Sequence, residues 1–142
     1  MERAGRVEGK VAIVTGAGST PGPGIGTGKA SAIVLGREGA SVLCVDLFAE
    51  RAEETRQTIE AEGGRAEVFA ADCTTAAGCE AMVKAAVDTF GTVDILVNNI
   101  GRAFVGTVVD TTEEVWDQAL AINLRTAFLA SKYAVPVMAT QG

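Results

Sequence analysis

The chain has 142 residues, 48% of them apolar and 21% charged, with 17 glycines and a formal charge of −6. That length suits one domain with a sizeable core, and an acidic balance without any basic run argues against a nucleic-acid partner. Apolar runs fall far short of the ~18 residues of a membrane span, and the absence of histidine excludes His-based triads and most zinc chemistry. No metal site is expected. The first ten residues are polar and lack the apolar stretch of a secretory signal. Cys44, Cys73 and Cys79 form no CxxC pair, and their odd count fits reduced thiols. A cytoplasmic location is expected.

In chain order, Val11–Thr15 reads as a short buried strand, followed by a glycine-rich loop. Thr27 to Glu38 carries Ala30, Ile33 and Val34 at helical spacing and closes at Gly39. Ser41–Asp46 reads as a second buried strand. Glu50 to Glu62 is a charged surface helix closed by Gly63-Gly64. Arg65–Ala70 alternates and reads as a third strand. Thr75 to Phe90 presents Met82, Val83, Ala86, Val87 and Phe90 on a helical repeat that ends at Gly91. Val93–Val97 reads as a fourth strand. Asp110-Thr111-Thr112-Glu113 has the form of a capping box with Asp110 as the cap. It opens a long helix through Trp116, Leu120, Asn123, Leu124 and Phe128, with a disturbance expected at Pro136.

Strands that alternate with helices imply βαβ units and a parallel sheet. The expected fold is an α/β, Rossmann-type, doubly wound parallel sheet of strand order 3-2-1-4, with residues 1–142 as one nucleotide-binding domain. No linker, repeat or low-complexity segment divides it.

The segment Val11–Asp46 has the layout of a phosphate-binding turn: strand, glycine loop, helix start, second strand, terminal acid. Gly16 follows the first strand. Two registers fit the later glycine pair. Gly24-Ile25-Gly26 matches by residue identity, and Gly26-Thr27-Gly28 matches by distance to the second strand. The second is preferred, because a helix between packed strands tolerates insertions less well than a loop does; Gly24 stays as the alternate. Asp46 ends the second strand, either as a ribose 2′-hydroxyl acceptor or as an ordinary helix cap. Leu47 follows it where an Arg would favour a 2′-phosphate, and Arg37 and Arg51 have no fixed position that overturns this, so NAD is expected in preference to NADP. Asp72 and Cys73 follow the third strand, in a loop suited either to an adenine or to capping the next helix. Asn98-Asn99-Ile100-Gly101 follows the fourth. Its amides need partners, which neighbouring loops, a ribose or a simple Asn-Gly turn would supply. Asn123 lies in an otherwise apolar helix face, where a structural bond or a catalytic water would compensate it.

Taken together, these residues resemble the short-chain dehydrogenase/reductase family. The matching pieces are Thr15-Gly16-Ala17-Gly18 with the later Gly-x-Gly, Asp46, Asp72, Asn98-Asn99-Ile100-Gly101 and Asn123 in Ile-Asn-Leu. They cover nearly the whole chain; Ile100 stands where the family has Ala. The resemblance implies NAD(P)-dependent hydride transfer between a secondary alcohol and a ketone. It assigns the pyrophosphate to the glycine loop, the adenine ribose to Asp46, the adenine to Asp72 and a place in a catalytic tetrad to Asn123. It further implies a homo-oligomer, through the long helix from Thr111.

The other tetrad members of the family, a Ser and a Tyr-x-x-x-Lys, have no counterpart. The one tyrosine is Tyr133, with Val137 four residues on and Lys132 before it. The chain is about half the family's usual length. A fourth strand left as a long apolar edge also reads as a fragment, since native chains cover such edges. The expected function is therefore the cofactor-binding half of an NAD-dependent oxidoreductase acting on a small alcohol or ketone. The alternatives are a non-catalytic NAD-binding module and a fragment of an enoyl-thioester reductase.

Overall fold

Successive residues of a strand face opposite sides of a sheet, and in the first two strands both sides are apolar. The structure is a computed structural model and describes residues 5–141. Strand β1 (Val11–Thr15) is buried throughout, and β2 (Ser41–Asp46) in all but its end residues. Ile13, Leu43 and Val45 enter one core, with Met82, Val83 and Ala86 of α3 (Ala76–Phe90) and Leu129, Ala130 and Ala134 of α5 (Thr126–Ala139). Ala12, Val14, Val42 and Cys44 enter the other, with Ala32 and Ile33 of α1 (Thr27–Arg37) and Ala52 and Ile59 of α2 (Ala49–Ala61). β3 (Arg65–Ala70) and β4 (Ile95–Val97) complete a parallel sheet ordered β3-β2-β1-β4. This is the expected Rossmann-like α/β arrangement and strand order.

The register brings the strand ends level. Val14 lies opposite Cys44 and Val97, and Val45 lies opposite both Thr15 and Phe69. The loops that begin at Gly16, Leu47, Ala71 and Asn98 therefore leave the sheet along one edge. Helix ends follow local chemistry. Gly39 and Gly91 turn the chain at φ 92° and 93° after α1 and α3, and the Thr75 hydroxyl caps α3 by accepting from the Gly78 N–H at 3.0 Å.

Three expectations need correction. β4 begins at Ile95 rather than Val93, because the Asp94 carboxylate accepts the Val11 N–H at 2.8 Å in place of a strand carbonyl. The exposed edge is thus three half-buried residues and not a long apolar strand. The long helix is capped by Thr112, whose hydroxyl accepts from the Val115 N–H at 3.3 Å; Asp110 lies in a separate turn with Thr107. Pro136 does not interrupt α5, which runs on to Ala139. Pro136 and Lys132 are both exposed, so the carbonyl that the ring leaves unpaired faces water. The irregular segment is instead Ala121–Arg125, a π-helical turn that joins α4 (Glu113–Leu120) to α5.

Candidate nucleotide-binding site

The loops at the carboxyl edge of the sheet enclose a cavity of about 560 Å³, within the range of small-molecule sites. Its floor is the glycine loop. Ser19 Oγ accepts the Gly26 N–H at 2.7 Å and pinches off the residues between them as an excursion. Gly16, Gly18, Gly26, Thr27 and Gly28 line the cavity, whereas Gly24 borders a separate surface depression with Pro21 and Pro23. A Cβ on Gly28 would fall 2.0 Å from the Gly16 carbonyl oxygen and 2.4 Å from Asn99 Nδ2; on Gly24 it would meet nothing within 4 Å. Close approach thus requires glycine at 28 and not at 24. Gly26 is the N-cap of α1 and offers no side-chain cap, and the first turn of that helix has no acid. The opening N–H groups of α1 therefore lack internal partners at the positive end of the helix dipole.

Asp46 stands at the end of β2 with both carboxylate oxygens engaged. Oδ2 accepts the Gly18 N–H and Oδ1 the Phe48 N–H, each at 3.0 Å. Each oxygen keeps a further lone pair for an incoming hydroxyl. Leu47 and Phe48, 60% and 43% exposed, form an apolar rim beside it. Across the cavity lie Asp72 and Cys73. Asp72 Oδ1 accepts from the Thr74 N–H at 2.9 Å and from its hydroxyl at 2.6 Å, which closes the turn into α3. Burial pushes the Cys73 thiol up to about 12, reinforced by the neighbouring Cys79. The neutral thiol is thereby favoured, and Cys73 forms a buried part of the cavity wall.

The amides of the fourth loop act as ties. Asn99 Nδ2 donates to the Gly16 carbonyl at 3.1 Å, its Oδ1 accepts the Thr27 hydroxyl at 2.8 Å, and its N–H reaches Thr15 Oγ1 at 3.2 Å. Backbone and side chain of this one residue thereby join β1, the start of α1 and β4, and it lines the cavity with Gly101. Asn98 and Asn123 lie outside the lining. Asn98 Nδ2 donates to Ser131 Oγ at 3.2 Å. Asn123 is clamped to Arg102: Oδ1 accepts the Arg102 N–H at 2.9 Å, and Nδ2 donates to the Arg102 and Ala119 carbonyls, both at 3.0 Å. This is the structural compensation that a mid-helix Asn requires, and it sits inside the π-helical turn. Its neighbours Ile122 and Thr126 do line the cavity, as do Phe48 and Arg51 from the start of α2. Ile122, Thr126 and Phe48 did not stand out in the sequence; Arg51 stood out only as a cation near Asp46 whose position the sequence leaves open. For Ile122 and Thr126 the i, i+4 spacing on one helix face was the available signal.

The family model for short chain dehydrogenases matches residues 10–142. The chain belongs to the short-chain dehydrogenase family. It is 42% identical to a Thermotoga maritima protein described as an uncharacterized oxidoreductase, across 95% of this chain and 51% of that one. It is 39% identical to 2-(S)-hydroxypropyl-CoM dehydrogenase 3 of Xanthobacter autotrophicus, across 94% and 50%. The solved structure of a hydroxysteroid dehydrogenase from Escherichia coli superposes with a TM-score of 0.88 at 34% identity, across 96% of this chain and 55% of that one. The chain therefore spans about half the length of the relatives it matches. Within this short-chain dehydrogenase chain the one tyrosine, Tyr133, packs against the core shared by α3 and α5, away from the cavity.

Proposed function

We propose that these 142 residues form the NAD-binding half of an oxidoreductase that moves hydride between a secondary alcohol and a ketone. The observation that carries this reading is the uncapped start of α1, which opens on the cavity over a glycine contact too close for any side chain. Such a helix end suits a pyrophosphate, because its free N–H groups and its dipole both favour negative charge. Gly16, Gly26, Thr27 and Gly28 would hold the phosphates. Asp46 would accept the ribose diol, and its charge would oppose a 2′-phosphate. The Leu47 and Phe48 rim and the Asp72–Cys73 wall would flank the adenine. A nicotinamide nucleotide supplies the hydride; the residues named here bind and orient it. Asn123 would hold the Arg102 segment in place, in keeping with the tetrad Asn of the family.

The test is a titration of NADH against the chain, followed by its fluorescence. Saturable binding that Asp46→Ala weakens by about tenfold or more is expected, as for a lost charge-assisted hydrogen bond. Failure to saturate would overturn the reading. Binding without turnover of secondary alcohols would favour the non-catalytic module.

The same reading extends to assembly. Trp116, Leu120, Leu124 and Phe128, 41–63% exposed, recur every four residues and form one apolar stripe along α4, the π-helical turn and α5. This stripe is the proposed contact with a second copy in a homo-oligomer. Three unpaired cysteines suit a reducing compartment, and a cytoplasmic setting is proposed on that ground. Among the described residues no helix is long and apolar enough to cross a membrane.

A further inference from the structure

Residues 20–25 leave the glycine loop at Ser19 and return to it at Gly26. Both roots of this excursion are held. On one side the Gly18 N–H reaches Asp46 Oδ2 at 3.0 Å, and a Cβ there would fall 2.4 Å from Arg51 Cβ. On the other, Gly26 is the N-cap of α1, and its N–H is bonded to Ser19 Oγ at 2.7 Å. A Cβ on Gly26 would lie 3.6 Å from Ser19 Cα, so the chain departs and returns at nearly one point. Between the roots all six residues are exposed, and no hydrogen bond joins them to any other described residue. Pro21 and Pro23 have fixed φ angles and alternate with Gly22 and Gly24, around which a Cβ would meet nothing within 4 Å. The excursion is therefore a short, stiff span with permissive joints and open space about its tip.

The surroundings leave it room to swing. Residues 21–25 form one wall of the surface depression, which is about 650 Å³ in volume, and Lys29, Glu50 and Glu54 form the other. Ser19, Thr20 and Arg51 line both this depression and the nucleotide cavity, so the excursion is the partition between the two. Its roots coincide with the two anchors of the proposed ligand, Asp46 for a ribose and the start of α1 for a pyrophosphate. A span hinged at those points crosses the ligand between them. Resting on the dinucleotide reading above, we propose that residues 20–25 are a strap that closes over the ribose–pyrophosphate stretch of a bound dinucleotide, with the Ser19–Gly26 bond as its latch. The strap sets how fast the nucleotide leaves, because it must lift before the phosphates can go.

Stopped-flow displacement of NADH from the 142-residue chain by excess NAD, followed by NADH fluorescence, tests this. Removal of residues 20–25 joins Ser19 directly to Gly26. It is expected to speed release by about tenfold or more and to leave the association rate within about threefold. Ser19→Ala, which keeps the span and loses the latch, is expected to speed release by less. A urea unfolding midpoint like that of the wild type reports that each variant is folded. A second measurement needs no variant. In the wild type the amides of Thr20, Gly22, Gly24 and Ile25 are expected to gain protection from hydrogen exchange when NADH is added. Release no faster in the shortened chain, or exchange at these amides unchanged by NADH, would each overturn the strap and leave the dinucleotide site standing. Absence of saturable NADH binding by the wild type would overturn the dinucleotide reading itself, and this one with it.

Discussion

The part of the chain from β1 to β3 and the part from β4 to α5 solve the burial problem differently. In the first, strands β1 and β2 are covered on both faces by helices of the same chain, and the loop groups at their ends are tied to one another. In the second, the strand is three half-buried residues long, and Trp116, Leu124 and Phe128 stand 59–63% exposed. The second part is anchored by Leu129, Ala130 and Ala134 in the core and by polar ties such as Asn99 and Asn123, while its outer face stays uncovered. Its exposed apolar surface is the contact proposed above for a second copy.

The sharpest way to break this contrast is inside the first region. Gly28→Ala should destabilise the chain by about 3 kcal/mol or more, at the top of the usual range for overpacking, because the obstructing atom is a backbone carbonyl that cannot rotate away. Gly24→Ala, with open space around it, should stay within about 0.5 kcal/mol. Urea unfolding of the two variants measures both, and equal effects would contradict the placement of the loop. Next comes Thr55, fully buried in α2, whose hydroxyl donates to the Ala17 carbonyl at 2.7 Å. Thr55→Val should cost about 1–3 kcal/mol by leaving that carbonyl unpaired. Phe128→Ser, at a side chain 62% exposed, should shift the same unfolding midpoint by no more than about 0.5 kcal/mol.

Leu124→Glu should also leave the unfolding midpoint nearly unchanged, yet lower any self-association seen by sedimentation velocity. An unaltered sedimentation profile in an associating wild type would remove the apolar stripe as the contact. The smallest effect concerns the thiols. Burial pushes Cys44 and Cys73 up to about 12 and raises Cys79. A raised thiol pKa keeps the neutral form below that pH, so at pH 8 only about 10⁻⁴ of Cys44 or Cys73 is thiolate. A thiolate-directed reagent should therefore label these two slowly in the native chain and all three cysteines rapidly once it is unfolded. Fast native labelling would show that the walls around Cys44 and Cys73 open.

Most elements were legible because their signals are local. The apolar runs of β1 and β2, the helical repeats of α1 to α3 and the closing glycines each lie within a few residues of one another. The candidate site was legible where a residue directly follows or ends a strand, as with Gly16, Asp46 and Asp72, all of which line the cavity. It was not legible where a task depends on a partner far along the chain. Asp94 shortens β4 because Val11 is beside it, and Asn123 lies outside the cavity lining with its amide engaged by the Arg102 backbone and the Ala119 carbonyl. Thr112 took the cap from Asp110 because the turn with Thr107 already engages that aspartate.

By itself the sequence determined the α/β class and a glycine-rich loop after the first strand, since periodicity and turn chemistry act through neighbours in the chain. The tertiary structure decided which glycines face the cavity, that Arg51 joins Asp46 there, and that a stripe of apolar side chains on α4 and α5 remains uncovered. Those outcomes rest on distances between residues remote in sequence. One bond from Ser19 to Gly26 folds the inserted loop outward, and no count of residues between glycines contains that contact.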